Sequence, residues 1–277
     1  MAKSRVFSHN DSAAPMFDRL SCKEFSMIGY RWYLSATWCV GLIVGCQASA
    51  FGAEKPGDAE CRRATGKIVI DGTADEASWK AAQTIDGFIS GWLTPPEDAK
   101  TGTKARLLWD DEALYFFADM VDADLFADVK EQDGVTWDND VFELFFKPGA
   151  DKPNYYEFQV TPLNTHFDSY FPTRDLPNLA RYIKADEFGW RTKPVLRGTL
   201  NDKTDRDAGW SVEGKIPWQD FRHTGGRPKA GDVWMFTLCR YDYSKDFKEP
   251  ALSATARLSQ RNFHFHEDYG RLTFTAK

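Results

Sequence analysis

The chain has 277 residues, 42% of them hydrophobic and 15% aromatic, with 41 Asp and Glu against 35 Lys and Arg, a formal net charge of −6. An acidic chain without a basic cluster excludes nucleic acid as a partner, because holding phosphates requires basic surface. What remains after an N-terminal leader is long enough for one large domain with a sizeable core.

Residues 1–50 read as a leader outside the fold. Trp32 to Cys46 is uncharged and mostly apolar, preceded by Arg31 and followed by small residues, the pattern of an export signal. The stretch is short of the roughly 20 residues that span a bilayer. The segment ahead of it is over-long and contains acids, whereas a start at Met27 gives Met27-Ile28-Gly29-Tyr30-Arg31, a normal basic leader. Two exits compete: Ala48-Ser49-Ala50 fits the small-x-small cleavage rule, and Ile43-Val44-Gly45-Cys46 resembles the bacterial lipobox, which makes Cys46 a lipidation candidate. Either route predicts a secreted, periplasmic or envelope-anchored protein that meets a membrane only through a lipid anchor. Of five cysteines, Cys22, Cys39 and Cys46 lie in the leader. Cys61 and Cys239 remain as a disulfide candidate, with two buried thiols as the alternative reading.

A linker over residues 51–66, marked by Pro56-Gly57-Asp58, precedes short β-rich runs separated by Gly, Pro, Asn and Asp. Strands are predicted at Lys67–Ile70, Lys104–Trp109, Leu114–Val121, Val141–Lys147, Tyr155–Pro162, Phe167–Phe171, Tyr182–Lys184, Trp190–Leu196, Trp210–Ile216, Val233–Tyr241 and Leu272–Thr275. Asp110-Asp111-Glu112 reads as a hairpin turn. One short helix is expected at Ala74–Ala82, with Thr73 as cap and Glu76 closing a capping box, and a single turn at Pro217–Phe221. This pattern predicts an all-β fold, an antiparallel two-sheet β-sandwich over residues 67–277 with one or two short helices.

Alternation from Trp137 to Phe146 assigns Phe142, Leu144 and Phe146 to one face of a strand and Trp137, Asn139 and Glu143 to the other. Tyr155–Pro162 divides likewise, with Glu157, Gln159 and Thr161 on its polar face. An apolar ring beside hydrogen-bonding groups suits a sugar, whose ring has a C–H face and a rim of hydroxyls. Arg240 offers a planar donor fork and is read either as a sugar contact or as the salt-bridge partner of Glu143. His264 and His266 share strand parity, so a metal site is one reading and hydrogen bonding near the last strand the other.

Five blocks in order resemble the family 9 carbohydrate-binding modules: Ile70-Asp71-Gly72-Thr73-Ala74-Asp75-Glu76-Ala77-Ser78-Trp79, Ala105 to Tyr115, Trp137 to Phe145, Gly209 to Trp218, and Tyr269-Gly270-Arg271-Leu272. The resemblance runs from about residue 67 to the end. It implies a jelly-roll or DOMON-like β-sandwich that binds oligosaccharide or polysaccharide without catalysis, in support of polysaccharide degradation or uptake, with structural calcium in some members. It matches Trp137 to the first of two clamping tryptophans, Glu143 to the carboxylate and Gln159 to a polar contact on the next strand. Asp122 and Asp124 match an acidic turn that binds calcium in the family. The second tryptophan has no counterpart, since Leu252-Ser253-Ala254-Thr255-Ala256-Arg257 contains no aromatic; Trp92, Phe263, His264 and Phe265 are the substitutes to consider.

Two other functions stay open on the sequence. DOMON relatives that hold haem b for electron transfer would draw on Met120, Met235 and His266 as ligands. A glycoside hydrolase needs two carboxylates facing a cleft, and no motif singles out such a pair.

Overall fold

The computed structural model describes residues 57–176 and 187–276, within the unit Phe51–Lys277. The leader, Cys46 and the strand expected at Tyr182–Lys184 lie outside the described residues. In chain order the elements are β1 (Ala59–Arg63), α1 (Ala77–Ala81), β2 (Ile89–Ser90), β3 (Glu97–Asp98), β4 (Thr103–Trp109), β5 (Ala113–Met120), β6 (Val141–Lys147), β7 (Tyr155–Val160), β8 (His166–Phe171), β9 (Arg191–Arg197), β10 (Gly209–Pro217), β11 (Val233–Asp242), β12 (Ala251–Ala254) and β13 (Gly270–Thr275). Short 3-10 turns occupy Thr136–Asp138, Trp218–Thr224 and His266–Asp268.

The strands hydrogen-bond in the order β3-β2-β12-β11-β13-β1-β4-β5-β10-β9, and β6, β7 and β8 extend from the other edge of β11. Period-two alternation drives the layering. Leu107, Leu114, Phe116, Val212 and Ile216 from β4, β5 and β10 meet Phe142, Leu144, Phe146, Phe158, Phe236 and Leu238 from β6, β7 and β11 in one buried core. The result is a mostly-β sandwich, but with mixed pairing where antiparallel sheets were expected: β1 runs parallel to both β13 and β4. β1 also lies inside the stretch read as linker, and Lys67–Ile70 is not a strand. Only Ala59 and Cys61 of β1 are buried, and charged residues flank them, so its local pattern resembles a solvated segment.

The β4–β5 hairpin forms as read, with Asp110 Oδ1 accepting from the Glu112 and Ala113 amides at 2.8 and 3.0 Å. α1 starts later than predicted, without a side-chain cap. Thr73 donates instead to Asp71 Oδ1 at 2.7 Å, and Glu76 Oε1 accepts the Val69 amide at 2.8 Å. Both proposed capping groups are used to fold the loop ahead of the helix. Cys61 and Cys239 are free, buried thiols and not a bridge. Cys61 faces the sandwich core, whereas Cys239 projects from the opposite face of β11 into a second cluster with Phe145 and Tyr269.

Glu213 on β10 ties the N-terminal loop to the sheet. Its Oε2 accepts the amides of Asp71 and Gly72 at 2.9 and 3.0 Å, and its Oε1 accepts the Trp79 indole at 2.9 Å. Gly72 has φ +93°, which favours glycine and lets two successive amides converge on one oxygen. Glu213→Ala orphans three donors, and urea denaturation should record a loss of about 2 kcal/mol.

Candidate functional site

The outward face of β6, β7, β8 and β11 carries a pocket of about 270 Å³. Register builds it: Glu143 pairs with Cys239 on β11 and with Gln159 on β7, and Phe145 pairs with Glu157. Glu143, Phe145, Glu157 and Gln159 therefore share one face. The chain after β12 lays Arg261, Asn262, Phe263 and His264 along the pocket, and Leu252 of β12 and Tyr241 of β11 also line it.

Trp137 lines the same pocket, although it lies in the 3-10 turn Thr136–Asp138 and not on a strand. The turn folds the indole back toward Glu143, so the roughly 20 Å separation of a straight strand does not arise. The Tyr243 hydroxyl fixes the turn by donating to the Trp137 carbonyl at 2.8 Å, and the indole meets Phe167 edge-on at 5.6 Å. Asn139, expected beside Trp137, is fully buried; its Oδ1 accepts the Asp128 and Val129 amides at 3.0 and 2.9 Å, a structural role. Thr161 is also buried, in the turn after β7.

Glu143 is 2% exposed and Glu157 3% exposed. Among the described residues the Glu143 carboxyl makes no hydrogen bond; burial, with Glu157 adding, pushes its pKa well above the usual carboxylate range. Glu157 is also pushed up by burial, opposed by His264 and by the Gln159 amide. Gln159 is oriented on both sides, since Thr136 Oγ1 donates to its Oε1 and its Nε2 donates to Glu157 Oε1, each at 2.5 Å. His264 Nδ1 shares a hydrogen bond with the Tyr155 hydroxyl at 2.9 Å, and its Nε2 lies 3.9 Å from Glu157.

Raised carboxyl groups give the stability a pH dependence of definite sign. Glu213 is pushed by burial up to about 7 and Asp168 up to about 6, in the same direction as Glu143 and Glu157. A folded pKa above the unfolded value of about 4 means that the native state keeps protons the unfolded state has released, so stability falls as pH rises through the folded value. Burial depresses His166 to about 4, which acts oppositely but only below the unfolded histidine pKa of about 6.5. In chelator, the urea midpoint should be lower at pH about 8.5 than at about 6.5, with the slope unchanged.

Arg240, predicted as a sugar contact, is not in the pocket. It is 1% exposed and lies on the core face of β11, paired in register with Phe142. Its guanidinium donates to the Val121 carbonyl and to Asp122 Oδ2, at 2.9 and 3.0 Å, and sits 3.1 Å from Asp242. Neither a sugar contact nor a bridge to Glu143 is compatible with that face. The guanidinium that lines the pocket is Arg261, half-exposed and 3.4 Å from Glu249.

Of the rings considered for the missing tryptophan, Phe263 and His264 line the pocket. Trp92 packs behind on Phe263 at 6.1 Å, and Phe265 lies under Arg174. His264 and His266 belong to no group of three metal-ligating side chains among the described residues. Met120 lies in the sandwich core and Met235 against the outer cluster, so these two do not face each other as haem ligands would.

A group that does have the oxygens for a cation is Asp122, Asp140 and Asp242, all buried, with one carboxylate oxygen from each within 4.8 Å of the others. Asp140 accepts the Phe126 and Tyr243 amides, both at 2.6 Å. Asp242 Oδ1 is buried with no partner. Three buried carboxylates face one guanidinium, so negative charge is in excess, and an all-oxygen donor set with an orphaned acceptor fits a hard divalent ion. Asp124, which shares the acidic turn, instead accepts the Lys245 amide at 2.6 Å.

Comparison with known proteins agrees with this architecture. Residues 70–277 match the family described as carbohydrate family 9 binding domain-like. The exoglucanase XynX of Acetivibrio thermocellus is 25% identical over 187 residues, 62% of this chain and 16% of that protein. The endo-1,4-beta-xylanase A of Thermoanaerobacterium saccharolyticum is 24% identical over 212 residues, 76% of this chain and again 16% of that protein. The chain thus spans about a sixth of the length of these curated relatives. A family 9 carbohydrate-binding module from Caldicellulosiruptor kristjanssonii, solved with cellotriose, shares the fold with a TM-score of 0.52 at 18% identity, covering 79% of this chain and 94% of that one. With a family match across most of its length and the same sandwich beneath it, this chain belongs to the carbohydrate family 9 binding domain-like family.

Proposed function

We propose that the chain is a non-catalytic carbohydrate-binding module of an exported protein that serves polysaccharide degradation or uptake. Trp137 stacks on a sugar ring, while Glu143, Gln159, Asn262 and Arg261 read its hydroxyls. The observation that carries this reading is the Glu143 carboxyl: 2% exposed, without a hydrogen bond among the described residues, and lining a pocket beside a half-buried indole. A carboxyl that opens onto the pocket with no protein partner among the described residues is available to hydrogen-bond a ligand hydroxyl. At about 270 Å³ the pocket falls near the lower end of the roughly 300–1,000 Å³ range of small-molecule sites, which suits one terminal sugar residue over the middle of a chain. The solved relatives carry cellotriose and glucose, the first ligands to try. Calorimetric titration with both should give dissociation constants on the order of micromolar to millimolar, because most polar contacts to a hydrated sugar replace water. A glycan array on which no saccharide is retained overturns the reading.

Export rests on the apolar stretch Trp32 to Cys46 and its two alternative exits. Calcium belongs to the same proposal, held by Asp122, Asp140 and Asp242, where it neutralises buried charge between the sheets. Millimolar calcium should raise the thermal midpoint by several degrees over the chelator-treated protein, since a ligand of the native state stabilises by mass action. Asp242→Asn should abolish that difference.

A further inference from the structure

Reading neutral hydroxyls does not require two buried carboxylates in one small pocket. Glu143 and Glu157 stand on adjacent strands, 2% and 3% exposed, and Glu143 has no protein donor among the described residues. Among the described residues, the Glu157 carboxyl accepts from Gln159 Nε2 and lies 3.9 Å from His264 Nε2, and the rim guanidinium of Arg261 is half-exposed and engaged with Glu249. Burial favours the protonated form of both carboxyl groups, and an ammonium placed between them draws those protons off and makes up for the lost water, which a neutral ligand does not. Six aromatic rings, Trp137, Phe145, Phe167, Phe171, Tyr241 and Phe263, form the remaining wall. Aromatic faces and carboxylates together attract an ammonium group, the rings by their quadrupole and the acids by charge-assisted hydrogen bonds.

We propose that this pocket, acting as the sugar site assigned above and resting on that reading, selects a hexosamine residue with a free, protonated amino group over its neutral counterparts. The ammonium lies between Glu143 and Glu157, and the ring stacks on Trp137. Asn262 and the Tyr241 hydroxyl, which makes no hydrogen bond among the described residues, serve the sugar hydroxyls; a bare organic ammonium leaves both without an acceptor. N-acetylation removes the charge and adds bulk in a pocket of about 270 Å³, so the acetylated sugar is excluded.

The test is calorimetric titration of the full chain, near neutral pH, with glucosamine, N-acetylglucosamine, glucose and choline. Glucosamine should bind about tenfold tighter than glucose, with N-acetylglucosamine and choline weaker than both. Glucose binding as tightly as glucosamine, or choline binding more tightly than either, overturns the inference and leaves carbohydrate binding standing in the first case. Absence of binding by every sugar in this set and on the glycan array overturns both readings. In Glu143→Gln and Glu157→Gln, checked for folding by their urea midpoints, the ratio of glucosamine to glucose affinity should fall toward one. A ratio that persists in both variants overturns the inference, because the carboxylates are then not what reads the amine.

Discussion

Replacing Trp137 with alanine raises the dissociation constant for the bound sugar by about 30-fold or more. The indole is a half-buried ring of the pocket wall, held edge-on against Phe167 at 5.6 Å. Truncating a tryptophan anchor at the centre of a site costs about 2 kcal/mol or more, and each 1.4 kcal/mol is tenfold in affinity. For a ligand that starts near millimolar affinity the loss removes detectable binding, and one that starts near micromolar falls to tens of micromolar. The fold should tolerate the change, because the turn is held through the backbone by the Tyr243 hydroxyl on the Trp137 carbonyl, not through the ring. Titration with cellotriose alongside a thermal melt separates the two effects; an unchanged dissociation constant removes Trp137 from the site.

Arg240→Met should cost about 3–5 kcal/mol of stability, the range for breaking a buried ion pair from one side. Its guanidinium is the counter-ion inside the Asp122, Asp140 and Asp242 group and also donates to Thr103 Oγ1 at 3.2 Å. Methionine fills much of the volume but leaves these acids with uncompensated charge. Urea denaturation measures the loss, and millimolar calcium should recover part of it by occupying the same carboxylates. A variant as stable as wild type that has lost sugar binding would return Arg240 to the pocket. That outcome conflicts with its place on the core face of β11.

The contrast between these two residues shows what period-two reading can and cannot deliver. Alternation puts Glu143 and Gln159 each on the polar face of its own strand, and the register of β6 on β7 brings them opposite each other. Arg240 alternates with Trp234, Phe236 and Leu238, all core residues, so the signal that it points inward was present in its own strand. Glu157 shared the parity of Gln159 and was equally legible as a pocket residue. Phe263 and His264 were legible only as rings that could replace the missing tryptophan, and no local pattern marks Arg261 or Asn262, since all four reach the site from a connection whose path depends on where β12 and β13 dock.

Hydrophobic alternation and turn residues, both local properties, determined the all-β class, most strand positions, the β4–β5 hairpin and the polar faces of β6 and β7. Tertiary structure alone decided the parallel insertion of β1, the separation of Cys61 from Cys239, and the grouping of Asp122, Asp140 and Asp242 around Arg240. Each of these depends on which strand lies beside which and in what register. A one-residue slip reverses every side chain, and nothing within a single strand specifies its neighbour.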